Sequence, residues 1–134
     1  KLDLTERKPS GEIIVTDFKT GSAKTTGAIE KIDDEGRLSS LMRQLAMYSY
    51  LIRGAEKKDV YSSRLLFLEA KEGDKNALYA THIEDEQIDL LLKDITDYQN
   101  LLKSGSWTER SCNYNPYGKN TVCEYCKRAE IYKA

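Results

Sequence analysis

Apolar and polar positions recur along the chain with periods that mark six elements. Residues 1–5 and 12–18 read as a strand pair. The second holds the β-branched run Ile13-Ile14-Val15, and Lys8-Pro9-Ser10-Gly11 between them is turn chemistry. Residues 20–36 are rich in Gly, Thr, Ser, Lys and Asp and read as an exposed, mobile loop. Over residues 37–53, Leu38, Leu41, Leu45, Tyr48 and Ile52 fall on one helix face, and Gly54 fits just past its end. Residues 63–69 and 77–82 read as two further strands joined by the polar turn Lys71–Asn76. Residues 84–103 form a second helix. Its acidic first turn, Glu84-Asp85-Glu86, suits the positive end of the helix dipole, and its expected buried stripe is Ile88, Leu91, Leu92, Ile95, Tyr98 and Leu102. The order β, β, α, β, β, α predicts an α/β (α+β) fold, a mixed central sheet flanked by helices.

Composition sharpens this only a little. The chain has 134 residues, and 40% of them are hydrophobic, enough to pack the core of one domain. Its net charge of −1 excludes a polybasic nucleic-acid binder on bulk charge. That average hides unlike parts: residues 1–68 carry 12 basic and 10 acidic groups, residues 69–97 carry 3 and 9, and residues 98–134 carry 6 and 3. The acidic block is expected to face away from any phosphate backbone. No apolar run reaches membrane-spanning length, and three cysteines are too few for a disulfide-built scaffold. The chain opens on Lys1 and, at once, a strand. It therefore reads as a piece of a longer protein, with a core over 1–103 and an irregular cysteine-containing tail over 104–134 packed on it.

Chemistry concentrates at the end of the second strand. Side chains alternate along a strand, so Asp17 and Lys19 point the same way, about 7 Å apart. If residues 1–5 pair with 12–18, Asp3 comes close to Asp17. Two carboxylates then converge with an ammonium. Such a set suits metal-assisted phosphodiester hydrolysis: the carboxylates would hold Mg²⁺ (or Mn²⁺), and the lysine would steady the water and the developing charge. An exposed salt bridge in a hairpin would give the same Asp-x-Lys triplet.

The surrounding residues add specificity. Lys1-Leu2-Asp3-Leu4, then Gly11-Glu12-Ile13-Ile14-Val15-Thr16-Asp17-Phe18-Lys19-Thr20-Gly21, resembles the active-site hairpin of the RecB-like branch of the PD-(D/E)xK nuclease superfamily. Gln44-Leu45-Ala46-Met47-Tyr48 matches that branch's Gln-x-x-x-Tyr motif on the following helix. Through residue 103 the chain is similar to nuclease domains carried C-terminally by UvrD-like and AddAB-type helicase–nucleases. The resemblance implies a restriction-endonuclease-like core and a cytoplasmic deoxyribonuclease in repair and recombination, with DNA and a helicase motor as partners. It further implies Asp3, Asp17 and the Phe18 backbone carbonyl as metal ligands, Lys19 as the catalytic lysine, and Gln44 and Tyr48 in support. Members of this branch often take a further acid or His from an upstream helix, which this chain does not contain.

Other features leave alternatives open. Cys123-x-x-Cys126 with Cys112 resembles part of the cluster element of some relatives, but Tyr132 stands where a last ligand would be. Free thiols are favoured over Zn²⁺ held with an outside ligand, or an iron–sulfur cluster completed from upstream. Lys19, Lys24, Lys31, Arg37 and Arg43 either line a path for a DNA backbone or form a solvated surface. The 20–36 loop is a lid or a connection. Trp107 with the segment Asn113–Gly118 stacks bases or plugs the fold. No Gly-rich phosphate loop is present, and His82, the one histidine, has no nucleophile in support. Three functional readings follow: a helicase-linked nuclease, an inactive nuclease-like module that holds DNA or docks a partner, and a stand-alone phage- or restriction-type nuclease.

Overall fold

The computed structural model of the chain describes residues 3–105. The elements are β1 (Leu4–Arg7), β2 (Ile13–Lys19), α1 (Thr26–Ile29), α2 (Ser40–Glu56), β3 (Val60–Phe67), β4 (Leu78–Thr81) and α3 (Asp85–Ser104). They form one four-stranded sheet in the order β1-β2-β3-β4, as the mixed α/β reading requires. β1 runs antiparallel to β2, β2 parallel to β3, and β3 antiparallel to β4. The parallel pair needs a crossover, and α1 and α2 supply it. The chain divides into two compact units, Lys1–Asp97 and Tyr98–Ala134, and the sheet lies in the first. Among the described residues no helix is long and apolar enough to cross a membrane.

The hairpin turn falls where its residues predict. Gly11 N–H donates to the Lys8 carbonyl and Lys8 N–H to the Glu12 carbonyl, with Gly11 at φ +88°, where a side chain would be strained. The strand itself is displaced. β1 covers Leu4–Arg7 rather than 1–5, so Asp3 stands one residue before the ladder. β2 is buried at five consecutive positions, Ile13 to Asp17, because it is an inner strand with neighbours on both edges. A register shift between Ile13 and Ile14 turns Val60 onto the same face as Ser63, Leu65 and Phe67. That face carries the core. Ile13, Val15, Val60 and Ile52 form one cluster. Leu65, Phe67, Tyr79, Met42, Leu45, Ile83, Ile88 and Leu91 belong to the other.

The 20–36 segment is not a free loop. Thr25 caps α1, and Ile29 is fully buried in the core. Ile32 bridges to Leu38, and Asp33 Oδ1 accepts from the Glu35 and Arg37 amides to close a tight turn. Its polar composition disguised one deep apolar anchor. Helix α2 starts three residues later than periodicity predicts. Ser39 is its N-cap, accepting from Met42 N–H at 3.1 Å while donating to the Ile29 carbonyl. The buried stripe is accordingly Met42, Leu45, Ala46, Ser49 and Ile52. Leu38 is buried ahead of the helix, and Leu41 and Tyr48 are only partly covered. Gly54 lies inside α2, and Lys57 closes it in the left-handed region at φ 54°.

Strand β3 begins at Val60, not residue 63. Arg53 Nε donates to Asp59 Oδ1 at 2.6 Å and Arg53 Nη1 to Asp85 Oδ1 at 2.8 Å, while Nη2 reaches the Ile83 carbonyl. One guanidinium thus ties the end of α2 to the starts of β3 and α3. A buried Ser49–Ser63 hydroxyl pair, 3.0 Å apart, joins α2 to β3 between two small side chains that let helix and strand approach closely. In α3, Ile88 and Leu91 are buried and Leu92 and Ile95 partly so, but Tyr98 and Leu102 are exposed.

Two outcomes follow for stability. Lys57→Gly relieves a left-handed residue bearing a side chain and should raise unfolding free energy by about 0.5–1 kcal/mol in urea denaturation. Tyr79 is buried and donates to Glu30 Oε1 at 2.9 Å. Burial, then Glu30, pushes its phenol up to about 12. A phenol raised on folding contributes stability that is complete below its ordinary value of about 10 and is lost as pH rises through the folded value. Denaturation midpoints should therefore fall more steeply between about pH 10 and 12 in the wild type than in Tyr79→Phe.

Candidate active site

The site is built where β2 emerges from the core. The strand is apolar through Val15, then carries Asp17, whose side chain is 4% exposed, and Lys19, whose side chain is 23% exposed. Asp17 lies opposite Leu65 and Lys19 opposite Phe67 on the parallel partner, so both side chains stand on the face that α2 crosses. Phe18, between them, turns an exposed side chain to the other face. Helix α2 presents Gln44 and Tyr48 one turn apart, and Tyr48 packs against Ile13, Val15, Ile52 and Val60.

Four of the five expected side chains form one network. Gln44 Nε2 donates to Asp17 Oδ1 at 2.9 Å, and the Tyr48 hydroxyl donates to the same oxygen at 3.1 Å. Gln44 Nε2 also donates to the Tyr48 oxygen at 2.6 Å, and Gln44 Oε1 accepts from Lys19 Nζ at 2.5 Å. The amide orientation is dictated by charge: oxygen toward the ammonium, nitrogen toward the carboxylate. Burial, with the Asp17 charge and hydrogen bond beside it, holds the Tyr48 phenol above its ordinary value despite the opposing bond from Gln44. Tyr48 therefore stays a neutral donor across physiological pH.

The fifth residue, Asp3, is exposed, and its Oδ2 accepts the Phe18 amide N–H at 3.0 Å. Continuing the Leu4–Thr16 register by one residue sets Asp3 opposite Asp17. The two carboxylates thus flank one peptide unit, although Asp3 lies outside the strand predicted to carry it.

Asp17 Oδ2 decides whether a divalent cation fits. Lys19 Nζ stands 2.6 Å away as an ion pair but off the direction of a hydrogen bond, so this buried, charged oxygen has no hydrogen bond. A hard oxygen of that kind, on a residue whose strand register sets Asp3 opposite it, suits Mg²⁺ or Mn²⁺. Among the described residues no group of three His, Cys, Asp or Glu gathers to hold a metal. Asp3 and Asp17 would have to be completed by backbone oxygen and water. Cys112, Cys123 and Cys126, Trp107 and the 113–118 aromatics lie outside the described residues.

Of the proposed basic path, Arg37 pairs with Asp33 and Glu35, and Arg43 engages the Leu38 carbonyl and Asp94. Lys24 and Lys31 are exposed. Three of the five, Lys19, Arg37 and Arg43, are therefore paired with carboxylates. His82 lies beside the start of β3, with Nδ1 at the Val60 carbonyl and Nε2 3.4 Å from Asp59, far along the strand from Asp17. Sequence reasoning missed Arg53 and Ser39, which set where α2 begins and ends and so where Gln44 and Tyr48 fall. Ser39-Ser40 was a readable cap signal. Arg53 has no spacing signal, because its partners lie 6 and 32 residues away.

A buried carboxylate and a lysine, placed at the carboxyl end of a parallel strand pair in a mixed sheet, define a nuclease-like domain. The family model described as the PD-(D/E)XK nuclease superfamily matches residues 1–131, and the chain belongs to that superfamily. No curated protein and no solved structure gives a match.

Tyr48→Phe removes one donor to Asp17 and leaves the core contacts. It should cost about 1 kcal/mol in urea denaturation, and the tyrosine lost from the spectrophotometric titration should be one that ionises above the ordinary range.

Proposed function

We propose that this chain is a metal-dependent deoxyribonuclease domain of the RecB-like branch, hydrolysing DNA phosphodiester bonds. The observation that carries the reading is the Asp17–Lys19 pair: a buried carboxylate with one oxygen saturated by donors and the other free of hydrogen bonds beside an ammonium.

In this reading Asp3, Asp17 and the Phe18 carbonyl would hold Mg²⁺ or Mn²⁺, which when bound would supply a water of lowered pKa and offset charge on the phosphate. Lys19 steadies the attacking water and the developing negative charge. Gln44 and Tyr48 are positioning residues. They hold Asp17 Oδ1, which leaves Oδ2 to the lysine, and Gln44 fixes that lysine beside it. The Gln44–Tyr48 spacing supports the RecB-like branch over a restriction-type relative, and with that branch goes a helicase motor that delivers DNA ends for repair or recombination.

The test is cleavage of single- and double-stranded DNA with Mg²⁺ or Mn²⁺. Asp17→Ala and Lys19→Ala should each lower the rate by at least about 10²–10³-fold. Equal cleavage by wild type and both variants overturns the catalytic assignment. Binding of DNA without cleavage by any of them favours the inactive docking module.

A further inference from the structure

Lys19 Nζ touches two oxygens at once: Asp17 Oδ2 at 2.6 Å and Gln44 Oε1 at 2.5 Å. The first contact is an ion pair and the second a hydrogen bond to a neutral amide. The oxygen that the lysine merely faces is the one a divalent cation needs. The oxygen it is bonded to belongs to a neutral amide that no cation competes for.

A buried carboxylate without a counter-charge is strongly unfavourable. Asp17 is 3% exposed as a residue and sits on the inner strand of the sheet. Two neutral donors reach Oδ1, and Lys19 supplies the only positive charge in contact with the group among the described residues. Lys19 therefore does for the folded chain what a metal would do for the loaded site. A small divalent cation on Oδ2 and an ammonium 2.6 Å from the same atom repel each other at short range in a medium that screens poorly. Both cannot keep that oxygen.

We propose that Lys19 is the site's resident counter-cation, exchanged for the divalent ion on loading, and that Gln44 Oε1 is the berth that retains the displaced ammonium. This rests on the reading of Asp17 as a metal ligand. The fixed amide makes the exchange productive. Its nitrogen is committed to Asp17 and Tyr48, so its oxygen cannot turn away, and the ammonium pivots about that oxygen instead of leaving for solvent. Loading the ion and releasing the lysine for phosphate chemistry become one event. Before loading, the lysine is held by its own carboxylate, which keeps it from the substrate.

Binding of Mn²⁺ alone, without DNA, tests this through the electron paramagnetic resonance signal of the free ion. The proteins are wild type, Lys19→Met, Gln44→Leu, the double variant and Asp17→Asn, with folding followed by circular dichroism. Lys19→Met should bind Mn²⁺ about tenfold tighter or more, since the competing charge is gone. Gln44→Leu should weaken binding while Lys19 is present, and much less once residue 19 is Met. Equal or weaker binding by folded Lys19→Met overturns the exchange. A Gln44→Leu loss of the same size in both backgrounds overturns the berth. If Lys19→Met is unfolded without metal, its thermal midpoint should rise with Mn²⁺ more steeply than the wild type's, and no such rise also overturns the proposal. Asp17→Asn separates the two readings. Undiminished binding by Asp17→Asn removes Asp17 as a ligand, and the exchange falls with it. Loss of binding by Asp17→Asn with no gain in Lys19→Met leaves the metal site standing and removes only the exchange.

Discussion

The structure turns on one buried negative charge. Asp17 is the last covered residue of the innermost run of β2, and a carboxylate there is tolerable only if other groups meet it. Two elements besides its own strand have therefore to arrive at fixed positions. Helix α2 must cross β2 so that Gln44 and Tyr48 reach Oδ1, and Lys19 must remain on the strand two residues on. Much of the rest of the fold can be read as the means of holding α2 to that placement.

Those means are spread along the helix. At its start, Ser39 caps α2 and is tied to Ile29, which the preceding segment plugs into the core. In the middle, Ala46 and Ser49 keep the helix close to the sheet, and the Ser49–Ser63 contact satisfies two hydroxyls that such closeness buries. At its end, Arg53 locks the last turns to β3 and α3. A helix pinned at three points cannot rotate, and rotation by one residue, about 100°, would carry Gln44 away from Asp17.

Much of this was legible in the sequence. Alternation and 3.6-residue periodicity located the four strands and two main helices, and the turn at Lys8–Gly11 gave their first pairing. The site was legible because its residues sit at spacings with geometric meaning: i, i+2 on a strand for Asp17 and Lys19, and i, i+4 on a helix for Gln44 and Tyr48. What stayed hidden depends on contacts between distant residues. The depth of Ile29, the reach of Arg53, the register shift that turns Val60 inward and the exposure of Tyr98 are set by tertiary packing, and no local pattern encodes them. The charge reading also changed. A near-neutral chain is compatible with a nuclease whose positive charge at the scissile bond comes from one lysine and a bound ion, and Arg37 and Arg43 are spent on local carboxylates.

The two carboxylates do not share the same footing. Asp17 belongs to an inner strand paired on both edges, whereas Asp3 lies just ahead of a four-residue edge strand that is mostly exposed, and its side chain meets β2 at the Phe18 amide. Short edge segments with little buried apolar surface open locally at far lower free energy than the domain unfolds. The candidate site thus has one half in the core and the other at an exposed edge. Amide exchange at Phe18 would report how often the Asp3 contact opens while Asp17 stays covered.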